Sequence, residues 1–178
     1  MRIIAGRWRG HTLKAPAGRK TRPTPDRVRE AWMSALQPWI PDATVLDLFA
    51  GSGALGLEAL SRGAARVTLV EKARAALEAI DANVAKLGAK GEVEVVRGDA
   101  IGYVKRLPPA AFDIAVADPP YHQGFSQALV ERFAQEPFAA WLWIEHAADE
   151  KLPELPGARL RRYGDTAITA IPAHFEES

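Results

Sequence analysis

The chain reads as a doubly wound α/β domain built on a mostly parallel sheet, and three observations carry that prediction. Five short apolar runs rich in Val, Ile and Leu alternate with segments of helical period, the order that places parallel strands beside crossover helices. A glycine turn, Gly51-Ser52-Gly53, stands directly between the first run and the helix after it. The last two apolar runs are separated only by Gly164-Asp165-Thr166, a hairpin spacing, so one of them must run antiparallel.

Taken in order, Ile3-Ile4-Ala5 and Thr12-Leu13 flank a Gly/Arg turn and predict an N-terminal hairpin. A loop around Pro16 to Pro25 follows, and Asp26 then caps a helix through about Gln37, with Val28, Trp32 and Ala35 or Leu36 on its apolar face. Strands are expected at 44–48, 66–71, 92–97, 112–117 and 139–145, with helices at 53–62, 73–87, about 100–106 and 124–135 between them. The closing pair falls near 159–163 and 167–172, and right-handed crossovers join the parallel strands. The Pro-rich stretch Lys151 to Gly157 has no role legible in the sequence.

With 178 residues, 48% of them apolar, the chain can bury one core without covalent staples. We divide it into a basic arm and loop, 1–25, and a main domain, 26–178, forming a single compact unit. There is no cysteine, and His11, His122, His146 and His174 lack ligand spacing, so no metal is expected. No apolar run approaches the roughly 20 residues of a membrane span, and no signal-like segment opens the chain, which suggests a cytoplasmic protein. A monomer is the default for a small domain with no apolar stripe left over.

Net charge conceals an asymmetry. Arg2, Arg7, Arg9, Lys14, Arg19, Lys20, Arg22, Arg27 and Arg29 face one acid, Asp26, in the first 29 residues, and the rest of the chain carries 14 basic and 21 acidic residues. Such a split marks a polyanion-binding arm, and Trp8 between Arg7 and Arg9 adds a stacking surface.

Two motifs carry chemistry. Asp118-Pro119-Pro120-Tyr121 follows the apolar run 112–117 and puts a carboxylate, a rigid backbone carbonyl and an aromatic ring at a strand end. Asp118 and the carbonyls beside it can accept from both protons of an exocyclic amine, while Tyr121 stacks on the ring that bears it. Thr44 to Gly56 is a strand, a glycine turn and a helix start, the geometry that brings a ligand close to backbone amides. Gly51, Gly53 and Gly56 also fit a dinucleotide fingerprint, with Glu71 at the spacing of a ribose-binding acid, so NAD is a rival ligand. Asp47 shifts the balance, because a carboxylate in the cleft repels a pyrophosphate and suits the ammonium group of S-adenosylmethionine. Asp47, Glu71, Asp99 and Asp118 all fall at predicted strand ends, one rim of the sheet.

The run Asp47 to Gly56, with Glu71, Asp99-Ala100, Asp118-Pro119-Pro120-Tyr121, Arg22-Pro23-Thr24 and Arg27-Val28-Arg29-Glu30, resembles the RsmD family of 16S ribosomal RNA guanine-N(2) methyltransferases. The opening Met1 to Gly6 and Gly10 to Leu13 fit as well, and beyond Tyr121 the likeness is one of length and pattern. The resemblance implies a Rossmann-like class I S-adenosylmethionine-dependent methyltransferase, with a seven-stranded sheet whose last strand is antiparallel and an added N-terminal β-hairpin. It further implies that Asp47, Phe49, Ala50, Gly51, Ser52, Gly53 and Gly56 line the cofactor, Glu71 binds its ribose and Asp99 with Ala100 its adenine. Asp118, Pro119 and Tyr121 would act on the substrate amine, and Asp118 would also border the cofactor. Arg2, Arg7, Trp8, Arg9, Arg19, Lys20, Arg22 and Arg27 would hold 16S ribosomal RNA, within an assembled or assembling small subunit. From the residues alone, an adenine or cytosine amine, a protein glutamine amide, or more remotely an NAD-dependent oxidoreduction stay open.

Overall fold

The computed structural model describes residues 1–18 and 24–174. Helix α1 (Asp26–Leu36) and a 3-10 turn (Gln37–Trp39) lead into β1 (Thr44–Leu48), α2 (Ala54–Ser61), β2 (Arg66–Glu71), α3 (Arg74–Leu87), β3 (Val93–Arg97), α4 (Ala100–Lys105) and β4 (Phe112–Ala117). Then come α5 (Phe125–Gln135), β5 (Ala139–Ala147), β6 (Arg159–Tyr163) and β7 (Thr166–Pro172). The strands form one seven-stranded sheet in the order β3-β2-β1-β4-β5-β7-β6. β7 is antiparallel to both its neighbours, and the remaining pairs are parallel. The order reverses between β1 and β4, and sheets of this kind open their ligand crevice at the carboxyl ends of the strands flanking such a reversal.

Alternation along each strand divides the core in two. Val45, Val67, Leu69, Ile114 and Val116 face α1, α2 and α3 and pack with Trp32, Leu57 and Ile80. Leu46, Leu48, Val70, Ala115 and Ala117 face the other way and pack with Val104, Leu129 and Phe133. Central strands buried on both faces read as continuous apolar runs, which is why their positions were legible from sequence.

Three expectations need correction. Asp26 is the first helical residue and Pro25 the cap, so the Asp26 carboxylate meets Arg29 at 3.3 Å instead. Arg29 itself is only 3% exposed and donates to the Arg2 carbonyl, which removes it from the polyanion-facing set. The β5–β6 crossover contains no helix. Its Leu152 and Leu155 pack onto the second core cluster, so the Pro-rich stretch does the work of a covering helix that Pro153 and Pro156, lacking N–H donors, would break.

The third correction concerns the extent of the hairpin, which forms around the antiparallel bridge of Arg2 to Thr12, with the Ile3 and Leu13 amides donating to the His11 and Met1 carbonyls at 3.0 and 2.8 Å, and stops at Ile3. It stops there because the next donors are taken by α2. The amides of Ile4 and Ala5 donate to the fully buried Glu58 carboxylate on α2, and the Trp8 amide donates to Ser61 Oγ at 3.0 Å. Ser61 in turn donates to the Ala5 carbonyl at 2.7 Å, and Asn83 of α3 takes both the amide and the carbonyl of Lys14. The arm is therefore docked along α2 and α3. Gly6 makes the approach possible: it sits at φ 87°, and a Cβ there would stand 1.9 Å from the Ser61 carbonyl oxygen. Gly6→Ala should destabilise the fold by roughly 1–3 kcal/mol in urea unfolding. A change within about 0.5 kcal/mol would mean the arm adds little to the fold.

Candidate active site

β1 runs out at Leu48, and the next five residues turn the chain into α2. Phe49, Gly51 and Gly53 lie in the left-handed region, at φ 58°, 58° and 82°. Phe49 is held there with its ring 5.2 Å from that of Phe125. A Cβ on Gly51 would meet nothing within 4 Å, so this backbone borders open space. Gly56 serves packing: a Cβ there would lie 2.4 Å from Leu69 and 2.7 Å from Val67, so its absence lets α2 settle on β2. Ala50 and Ser52 are buried in the same turn, where the Ser52 carbonyl accepts from Asn83 at 3.0 Å.

The four rim carboxylates are each engaged differently. Asp47 is 1% exposed and accepts from the Gly56 amide at 2.9 Å; burial raises its carboxyl well above the usual range despite that bond, and Asp118 and Glu71 push the same way. Such a group favours an approaching cation. Glu71 takes the Gly51 amide on one oxygen and the Lys72 and Ala73 amides on the other, which pins the glycine turn to the start of α3. Asp99 caps α4 through the Gly102 amide at 2.8 Å, and Ala100 is buried behind it. Asp118 follows the last residue of β4 and is partly open to the cleft.

Around Asp118 the structure assembles a network that sequence reasoning missed. Parallel pairing sets Ala117 against Ile144, so Asp118 on β4 and Glu145 on β5 are successive neighbours beyond that pair. Glu145 is 3% exposed and accepts from Tyr121 Oη at 2.8 Å and from Thr24 Oγ1 at 2.9 Å. Thr24 also lies 3.4 Å from Asp118 Oδ2, and Thr166 of β7 stands 3.0 Å from the Tyr121 hydroxyl. Burial first, and the Glu145 carboxylate second, push the Asp118 carboxyl up to about 8, against a lowering contribution from the Thr24 hydroxyl. Burial likewise raises the Tyr121 phenol, which stays protonated and donating. Glu145 had a signal in the sequence: it is an acid near the carboxyl end of an otherwise apolar strand, like Asp47 and Glu71. Pro119 is buried, and the turn is latched from outside by His122, which contacts Asp149 at 2.8 Å and donates its amide to Glu150.

Of the expected arm residues, Arg2, Arg9 and Arg27 are exposed. Arg7 pairs with Glu92 at 2.7 Å and lies 4.0 Å over the Trp8 ring, so that face of Trp8 is already covered. Arg19, Lys20 and Arg22 lie outside the described residues. Among the described residues no group of His, Asp or Glu could hold a metal ion, and no helix is long and apolar enough to cross a membrane.

The family described as Conserved hypothetical protein 95 matches residues 1–171. This chain belongs to the RsmD family. The ribosomal RNA small subunit methyltransferase D of Escherichia coli K12 is 40% identical over 159 residues, covering 88% of this chain and 79% of that protein. Its namesake from Haemophilus influenzae is 34% identical over 157 residues, covering 85% and 81%. The solved structure of a hypothetical protein from Thermus thermophilus superposes with a TM-score of 0.80 at 32% identity, over 97% of this chain and 99% of that one. The N-terminal domain of human METTL16, solved with SAH, shares the fold at a TM-score of 0.72 and 12% identity, over 93% and 77%. The seven-stranded RsmD-family sheet is thus a class I methyltransferase fold.

Proposed function

We propose that this RsmD-family protein moves a methyl group from S-adenosylmethionine to the exocyclic N(2) amine of a guanine in 16S ribosomal RNA. It would act as a cytoplasmic monomer on an assembled or assembling small subunit. One observation carries the chemistry: the open glycine turn after β1 and the Asp118-Pro119-Pro120-Tyr121 segment after β4 lie at the ends of adjacent strands. The names of the relatives support the substrate.

The cleft fits the cofactor. Asp47 offers a buried carboxylate to an ammonium group, Gly51 exposes backbone for close approach, and Phe49 with Ala50, Ser52 and Gly53 shapes the turn around it. Glu71 keeps one spare acceptor site, on the oxygen that takes the Gly51 amide, for a ribose hydroxyl, and Asp99 with Ala100 would read the adenine amine. Bound S-adenosylmethionine supplies an electrophilic methyl on a sulfonium.

The protein's remaining task is to make a poor nucleophile attack. A guanine amine has its lone pair delocalised into the ring, so Asp118 and the Pro119 carbonyl must hold both N–H bonds and turn the lone pair out of the plane. Tyr121, anchored by Glu145 and Thr166, fixes the plane of the base. As the C–N bond forms the nitrogen becomes cationic, and Asp118 stabilises that charge in a pocket of low dielectric. The proton then leaves the nitrogen for Asp118 and passes to solvent. Arg2, Arg9 and Arg27, with Arg19, Lys20 and Arg22, contact phosphates.

Labelled methyl should pass to small subunits lacking native modifications and appear in N(2)-methylguanosine of their RNA. Label found instead in DNA, in protein or in another base would overturn the substrate assignment.

A further inference from the structure

A groove on the α1 side of the sheet is absorbed by none of this chemistry. Ala31, Trp32, Ala35 and Trp39 form one wall, Trp141, Trp143, Ile168 and Ala170 the floor, and Arg159, Arg161 and Tyr163 of β6 the other wall. No apolar stripe left over was expected from the sequence, yet Trp39 is 45% exposed here. The stripe escapes a linear reading because its indoles come from two distant segments, 39 and 141–143, joined only by folding. Ring centroids stand 5.5 Å apart from Trp39 to Trp141 and 6.2 Å apart from Trp141 to Trp143. The indole N–H groups of Trp32 and Trp143 have no hydrogen-bond partner among the described residues.

The groove and the reactive centre share one face of the sheet. Trp141, Trp143 and Glu145 alternate along one face of β5, so successive members lie roughly 7 Å apart, ending at the carboxylate that holds Tyr121. On the other wall Tyr163 pairs with Thr166, whose hydroxyl meets that of Tyr121. The lining is aromatic and cationic, with no acid among it. Flat rings beside guanidiniums match a strand that offers unstacked bases and phosphates, whereas an apolar peptide helix would call for aliphatic walls.

The geometry points to this groove as the track for single-stranded ribosomal RNA flanking the target base, with Trp39 and Trp141 stacking on neighbouring bases and Arg159 and Arg161 on phosphates. It rests on the function proposed above and extends it to the RNA path. Arg159→Gln/Arg161→Gln and Trp39→Ala alter exposed positions, so the fold and the Kd for S-adenosylmethionine should be unchanged. Affinity for protein-free 16S RNA should fall about tenfold in each. Only the arginine variant should also flatten the dependence of log affinity on log salt, by about 1.4 for two lost phosphates on a single strand.

Unchanged affinity and salt slope in both variants would overturn the track. So would a loss of affinity for intact subunits alone, which would put a ribosomal protein in the groove. Wild-type protein that binds the RNA but transfers no methyl to small subunits lacking native modifications would instead sink the proposed function and leave the track standing.

Discussion

Asp118→Ala should lower single-turnover methyl transfer by about a thousandfold or more, the scale on which a preorganised charge-stabilising group acts. The Kd for S-adenosylmethionine, read by calorimetry, should stay within about tenfold of wild type. The separation follows from position. Asp118 lies past the end of β4 beside Glu145 and Thr24, whereas the groups that chiefly hold the cofactor would sit on β1 and its glycine turn, at the end of β2 and at the start of α4. The alanine removes the acceptor for the amine and the counter-charge for the cationic nitrogen together, and no other described carboxylate replaces it, because Glu145 is tied to Tyr121 and Thr24. Turnover within about tenfold of wild type would show that the carboxylate does not meet the amine.

The second large effect is a displaced pH profile. In the resting site the Asp118 carboxyl is pushed up to about 8, so at neutral pH much of it carries its proton. Capture of the amine requires the ionised form. The sign is therefore fixed: kcat/KM, which reports the free enzyme, should rise with pH through a midpoint at about 8. Glu145→Gln deletes the carboxylate that contributes to this elevation, so the midpoint should move to lower pH. Burial, the larger cause, still holds it above the ordinary carboxylate range. Tyr121→Phe should cost about tenfold in kcat through looser positioning and leave the midpoint in place, since the phenol stays neutral throughout. If Glu145→Gln and Tyr121→Phe gave the same midpoint as wild type, Glu145 would be only an anchor for the ring. Glu145→Ala, which also frees Tyr121 and Thr24, should fall about a hundredfold in kcat.

Much of the architecture was readable before any coordinates. Strand bounds agree to within a residue or two because β1, β2 and β4 are buried on both faces and so read as near-continuous apolar runs. Local signals sufficed for the glycine turn and for the hairpin spacing of β6 and β7. They failed where a donor or charge had several suitors. The hairpin stopped short where the Ile4 and Ala5 amides turn to Glu58 of α2, Arg29 turned inward to the Arg2 carbonyl, and Trp8 was covered by Arg7.

Amino-acid order alone determined the layered α/β fold, the rim of strand-end carboxylates and the Asp118-Pro119-Pro120-Tyr121 turn, because each depends on residues within a few positions of one another. Only tertiary structure decided that Glu145, Thr24 and Thr166 share the Tyr121 and Asp118 hydroxyl and carboxylate network, and that tryptophans a hundred residues apart form one groove. The physical reason is register: parallel pairing of β4 with β5 and antiparallel pairing of β5 with β7 fix which side chains meet across the sheet, and a single chain segment carries no trace of its neighbour's phase.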